Sequence, residues 1–418
     1  MEKYKMDNSF YLNQQDIKQQ SCSADGKYEN RHTTFNIRTS AGHLPLQRFL
    51  TWLSGCPLPG QVAVFKRPPV TQIADTIGLF LVLMAVGVIL IESAKPIAFI
   101  GLPLIWLVAT GRARKAFITI AHQAVHAQLI TVKRKRAREF LNLAVGEVIG
   151  VLFWVPSPDK YFQSHVRSHH KLRELATPLD KDGISLFRLG FLPGKSKREY
   201  WVLLATHLAN PLFYIKETVV RMRLRLLSSG PLQRLASWLF LTSLLGTAYI
   251  YNGWQALILV YCVPVFIGFS LSGLMQGLGE HGWGVKMESV GKNERVLKVS
   301  QGRFLFDAFP QASNRLAQLK WWSRLFAYHL PARIAILNGD VQHHDWHHCD
   351  PRSLRWTESA YARADNIEQF AADQNGIATH SWSLVESLER SFDAMSKAPS
   401  LTKHWKDLLD KNNQVYVI

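Results

Sequence analysis

Three short runs of histidine carry the residue types best suited to chemistry in this chain. They are Ala121-His122-Gln123-Ala124-Val125-His126, Ser164-His165-Val166-Arg167-Ser168-His169-His170 and Gln342-His343-His344-Asp345-Trp346-His347-His348, and a fourth element, Gly279-Glu280-His281-Gly282, adds a single ring. On a helix His122 and His126 stand at i and i+4, so both imidazoles leave one face and can grip one ion. His165 and His169 repeat that spacing, while His170 is turned by about 100° around the axis, which suits two ions better than one. His344 and His348 are again at i and i+4, with His347 offset between them and His343 competing with His344 for a place. Imidazole suits iron, zinc, copper or nickel, and about nine rings are too many for one ion and enough for two. Carboxylates that follow the runs (Glu174, Asp180, Asp182, Asp345, Asp350) can hold the other ring nitrogen. A single HxxxH carries little weight. Three runs and a singleton on one side of a predicted membrane carry much more. The isolated His32, His43, His207, His329, His380 and His404 read as ordinary satisfied or surface histidines.

The elements that must position these rings come from the distribution of apolar residues. The 418-residue chain is 47% hydrophobic, an ordinary fraction, but the apolar residues come in blocks. Residues 76–91 and 96–111 form one pair around a charged turn, and 235–251 and 256–275 form a second around Asn252-Gly253-Trp254-Gln255. The first two are each short of the ~20 residues that comfortably span a bilayer, but pairing across tight turns reads as transmembrane hairpins, with a buried soluble αα-hairpin as the alternative. The expectation is therefore an all-α integral membrane protein with four transmembrane helices as two hairpins. Residues 1–60 are expected as a polar, mostly flexible cytoplasmic tail, with a short interfacial helix near residues 44–53. Residues 61–350 are expected as the membrane domain, and 351–418 as a cytoplasmic helical C-terminal cap. The stretches 141–155 and 201–215 are apolar enough to lie in the interface or dip in partway.

The net charge is +18. The basic residues Arg112, Arg114, Lys115, Lys133–Arg138, Arg221, Arg223 and Arg225 flank the apolar blocks instead of mixing with exposed aromatics. That points to anionic lipid and away from nucleic acid. If all four blocks cross, these clusters share one face, which makes it cytoplasmic with both termini. Four scattered cysteines give neither a disulfide framework nor a thiolate metal site. The uncharged middles of the spans count against a metal transporter, which should hold ionisable groups near the midplane. A membrane metal-binding protein is the remaining non-enzyme reading.

The order HxxxH, HxxxHH, HxxHH between two apolar hairpins resembles the membrane fatty acid desaturase/hydroxylase superfamily over roughly residues 76–350. The resemblance implies two non-haem irons on His122, His126, His165, His169, His170, His281, His344, His347 and His348, with His344 favoured over His343 by the usual HxxHH spacing. Asn338 before the last run, and Asp180 and Asp182 after the second, are similar to features of that family. Gln123 departs from it, because an acid usually follows the first histidine. The implied activity is O2-dependent desaturation of an acyl chain. Hydroxylation, ketolation or oxidative decarboxylation of a fatty acid, alkane or carotenoid are the alternatives the same site allows. Neither end reads as a haem-binding domain, so a separate ferredoxin-like or cytochrome donor is expected, with a bacterial cytoplasmic membrane as the preferred location.

Overall fold

A computed structural model describes residues 37–63, 67–93, 96–171, 173–284, 292–311, 313–373 and 378–400. His32, His404 and Cys22 lie outside these residues. The segment before the first apolar block carries α1 (Gln47–Ser54), and it is packed: Leu50, Leu53 and Cys56 are buried, and Arg38 donates to the Cys56 carbonyl and to Gln47 and Thr51.

The first expected hairpin is α2 (Pro69–Glu92) and α3 (Ala98–Lys115). Pro69 starts α2 at a position where a missing N–H costs nothing. Only Thr76, Phe80 and Gly87 of α2 are buried, so an almost wholly apolar helix presents most of its surface outward. α3 runs on through the wide-turned Ala116–Ala121 into His122–Val125, so its axis carries the first histidine pair. Gly111 makes this possible: a Cβ there would overlap the Ile334 carbonyl oxygen, where α3 crosses the segment Leu330–Ala335.

α4 (Lys135–Phe153) ends at Trp154 in the left-handed region, and the chain turns by 103° into α5 (Pro158–His169). α6 (Lys181–Arg188) follows, capped by Asp180, and α7 (Lys197–Ala209) begins with a full capping box of Ser196 and Glu199. The apolar stretch 201–215 is broken at Asn210-Pro211, where α8 (Pro211–Leu226) starts. The second expected hairpin is α9 (Pro231–Ile250) and α10 (Trp254–Leu278).

All four apolar blocks are thus helical. Two of them, α2 and α10, are long and apolar enough to cross a membrane. α3 and α9 fall short because their ends are polar: Arg112, Arg114 and Lys115 close α3, and Gln233 and Arg234 open α9. α4 and α5 together also pass, as a broken span or a re-entrant loop. The outward faces carry Phe99, Ile100, Leu232, Leu239, Tyr249 and Ile250, a larger apolar exposure than a water-soluble monomer sustains.

The basic clusters correct the sequence reading in part. Arg114, Arg221 and Arg225, expected to face lipid headgroups, are buried. Arg221 donates to the carbonyls of Phe153, Trp154 and Val265, with its guanidinium 4.0 Å from the Phe269 ring centroid. It therefore satisfies acceptors left open where α4 ends and ties α8 to α4 and α10. Arg225 pairs with Glu147 of α4, and Arg112 and Lys115 share Asp75 of α2 at 3.0 and 3.3 Å. These cations fasten helices to one another.

The remaining elements follow the second hairpin. α11 (Lys292–Val299) precedes β1 (Gly302–Arg303), and β1 pairs in parallel with β2 (His380–Ser381). This two-residue pair makes the fold mostly helical instead of purely so, and two residues are too short to leave a pattern in the sequence. α12 (Arg315–Arg324) continues through Leu325–His329 to Leu330–Ala335, and α13 (His344–Cys349) carries the last histidines. α14 (Ser359–Asp373) and α15 (Leu384–Lys397) finish the described chain. α15 buries Leu384, Leu388, Phe392 and Met395 along one face.

Candidate metal centre

The nine expected histidines converge from four separate places in the sequence. Their inward-facing nitrogens form two groups, within each of which all ligand atoms lie within 4.8 Å of one another. One group is His122, His126, His165, His170 and His347; the other is His169, His281, His344 and His348. Within the first, His165 Nε2 stands 2.9 Å from His122 Nε2 and 3.1 Å from His170 Nε2. Within the second, His348 Nε2 stands 2.9 Å from His344 Nε2 and 3.1 Å from His169 Nε2, and His281 Nε2 is 3.3 Å from His169 Nε2.

The partition differs from the i, i+4 reading at one place. His122 with His126, and His344 with His348, do share a group. His165 and His169 are divided between the two groups, His165 going with His170, and they meet only on the Asp182 side, where the three form a further cluster. The cause is local, because Phe162–His169 is wound with i→i+5 hydrogen bonds, and the His170 N–H donates to the His165 carbonyl at 3.0 Å. The wider turn brings His170 over His165 and sends His169 to the other group.

The chemistry of the donors fits two cations. Asp182 accepts from Nδ1 of His165 at 2.8 Å, and Asp180 accepts from Nδ1 of His169 at 2.9 Å. Nδ1 of His281 stands 2.9 Å from Ser300 Oγ. With the ring proton held on Nδ1 by a carboxylate, Nε2 presents a lone pair inward. Lone pairs facing one another at about 3 Å repel unless a positive ion lies between them. Burial, reinforced by the neighbouring rings, holds His165, His170, His281, His344, His347 and His348 well below the ordinary histidine range, in the neutral form that binds metal. His169 is the exception. Burial works downward there too, but Asp180 and Asp182 outweigh it and carry the group up to about 9. Positive charge is therefore favoured where the two groups meet. Asp182→Asn is expected to release metal to a competing chelator about 10–100-fold more readily than wild type. Equal retention would remove Asp182 from that supporting role.

The other carboxylates divide. Asp180 and Asp182 hold histidines as expected. Asp345, one residue after His344, turns away and pairs with Arg363 at 2.7 Å, and Glu174 takes Ser168 and Lys171. Gln123 donates to Asp340 at 2.9 Å, and Thr119 donates to the same carboxylate at 2.8 Å. The acid missing after His122 is thus supplied from another segment, and Gln123 serves as a donor where an acceptor was expected. His343 and His344 are also separated. His344 joins the four-histidine group, while His343 points the other way, between the Gly55 carbonyl at 2.7 Å and Ser359 Oγ at 2.9 Å. Asn338 is buried, and its side-chain amide has no partner among the described residues. His207 meets the Leu189 carbonyl and His329 meets Asp307, both at 2.8 Å, as ordinary satisfied histidines do.

One residue at the centre escaped the sequence reading. Glu280 carries its carboxylate 3.2 Å from the inward Nε2 of His344 and 3.7 Å from Arg303. Burial pushes its carboxyl up against the opposing pull of Arg303. Its sequence signal is its place directly before the lone His281.

A cavity of about 880 Å³ reaches this centre. His122, His165, His344 and Glu280 form one part of its wall, Phe117, Ile118, Leu186 and Trp283 an apolar part, and Lys160, Lys181 and Arg223 a basic part. A volume of this size takes an extended organic molecule.

No curated protein matches the sequence. The profile of the family described as fatty acid desaturase matches residues 97–381, more than half of the chain and a stretch that contains all nine histidines of both groups. With its two histidine groups and its apolar helices, the chain belongs to the fatty acid desaturase family.

Proposed function

We propose that this protein is an O2-dependent acyl-chain desaturase of the membrane, with one iron in each histidine group. The observation that supports it most strongly is the division of the nine rings into two adjacent groups that share one cavity wall. Bound there, two irons supply the oxidising power to take hydrogen from an unactivated methylene, which no protein side chain can do. The chain's own residues have narrower tasks. Asp180 and Asp182 fix the rings of His169 and His165, and Phe117, Ile118 and Leu186 keep the reacting carbon in apolar surroundings. The cavity holds the chain at a fixed depth, because orientation decides which carbon reacts.

The same reading makes all four apolar helices spans, with both termini, the basic loops and the metal centre on the cytoplasmic side, capped by the C-terminal helices. Electrons come from a ferredoxin-like or cytochrome partner, for which the +18 charge gives an attractive surface. The test is a fatty acid and hydrocarbon profile, by gas chromatography–mass spectrometry, of cells expressing wild type beside His169→Ala. A new unsaturated acyl species in wild type alone is the expected result. A hydroxylated or chain-shortened product keeps the two-iron reading and moves the reaction to oxygen insertion or decarboxylation. Identical profiles, with metal-loaded protein in the membrane and a donor present, overturn the acyl substrate.

A further inference from the structure

The cavity holds a feature that a pure hydrocarbon has no use for. Arg114 is buried at 2% exposure and lines the same cavity as His122, His165 and His344. It stands on the α3 axis at i, with Ile118 at i+4 and His122 at i+8, all on the cavity wall. Its Nη2 donates to Gln276 Oε1 at 2.5 Å, and its guanidinium lies 4.5 Å from the Phe269 ring centroid. Its Nε and Nη1 are buried with no hydrogen-bond partner. Three carboxylates also line the cavity: Asp182, which accepts from His165; Glu280, beside His344 and Arg303; and Asp159, in the first turn of α5. Among the described residues no hydrogen bond joins any of them to Arg114. A buried guanidinium with two idle donor nitrogens is costly, and an entering carboxylate removes that cost. A methyl terminus or a hydrocarbon lodged there leaves it in place.

We infer that the substrate is a free carboxylic acid, and that Arg114 holds its carboxylate while the apolar remainder lies along the wall toward the histidines. The inference rests on the acyl reading above and sharpens it to the free acid, in place of an ester, a carrier-bound thioester or an alkane. Lys160, Lys181 and Arg223, on the same cavity, draw anions toward it. Arg114 is then a residue that selects and positions substrate. It has no part in the chemistry at the metals.

Equilibrium binding to the purified, metal-loaded protein tests this without turnover. The probes are palmitate, methyl palmitate and benzoate, each competing with a fluorescent fatty acid, on wild type and on Arg114→Met and Arg114→Lys. Wild type is expected to bind palmitate about 10–100-fold more tightly than the ester, the range of one charged hydrogen-bonded contact. Arg114→Met is expected to erase that preference by weakening the acid alone, and Arg114→Lys to keep part of it. Equal binding of acid and ester by wild type, or an unchanged preference in Arg114→Met, overturns the inference and leaves the acyl reading standing. That first comparison needs no variant, so it decides even if Arg114→Met fails to fold. If benzoate binds in an Arg114-dependent way while neither palmitoyl probe binds, the anion site stands and the acyl reading falls. If nothing binds, the free-acid inference falls.

Discussion

His344→Ala is expected to abolish product formation and to lower the bound metal from two ions per chain toward one, while its neighbour His343→Ala keeps both ions. The two residues are adjacent and equally buried, but they face opposite ways. His344 presents Nε2 to the four-histidine group, 2.9 Å from His348 and 3.2 Å from Glu280. His343 spends both ring nitrogens on Gly55 and Ser359, and burial holds it down at about 3, so it is neutral at any working pH. Removing His343 leaves the buried Gly55 carbonyl without that donor, which costs about 1–3 kcal/mol of stability and no metal. Metal analysis of the two purified variants, with the product assay beside it, checks the contrast. Equal metal loss in both would mean that the four-histidine group is not a binding site as drawn.

The second large effect concerns what stands behind that helix. Asp345 and Arg363 form a fully buried pair, with Arg363 donating from Nε at 2.9 Å and from Nη2 at 2.7 Å, and its guanidinium 5.1 Å from the Phe304 ring centroid. Breaking a buried pair by removing one partner leaves an uncompensated charge, typically at about 3–5 kcal/mol. Asp345→Ala and Arg363→Ala are each expected to lower the melting temperature strongly and the yield of membrane-inserted protein with it. A double variant that replaces both with apolar residues of similar volume is expected to recover much of the loss. Thermal melts of the three proteins decide it; singles that melt like wild type would show that α13 does not depend on α14.

Much of the centre was legible in the sequence because histidine runs are rare and their spacings are short. All nine rings that the structure brings together were identifiable from HxxxH, HxxxHH, HxxHH and one lone His281. Their division between two groups was not. It depends on the i→i+5 winding of Phe162–His169, which no spacing rule for a regular helix anticipates. The apolar blocks were equally plain, and each is a helix. Their flanks misled, since Arg114, Arg221 and Arg225 look like lipid-facing cations and are in fact internal fasteners. A charge beside an apolar block reads the same way whether it meets a phosphate headgroup or the open carbonyls at the end of another helix. The role of Asp340 was hidden for a different reason. It supports Gln123 from more than two hundred residues away, as the separation of 217 positions shows, and only tertiary structure makes them neighbours.

The scattering of the rings along the chain also fixes an order of events during synthesis. The five-ring group includes His347 and the four-ring group includes His348, so neither is complete while the ribosome is still translating the apolar helices. The complete pair of sites therefore cannot serve as the template on which those helices assemble. Packing and fasteners such as Arg221 hold the helices that are made before the last histidine run. Full metal content is therefore expected to report late maturation: a chain that stalls before α13 docks is expected to be helical but short of its full complement of ions.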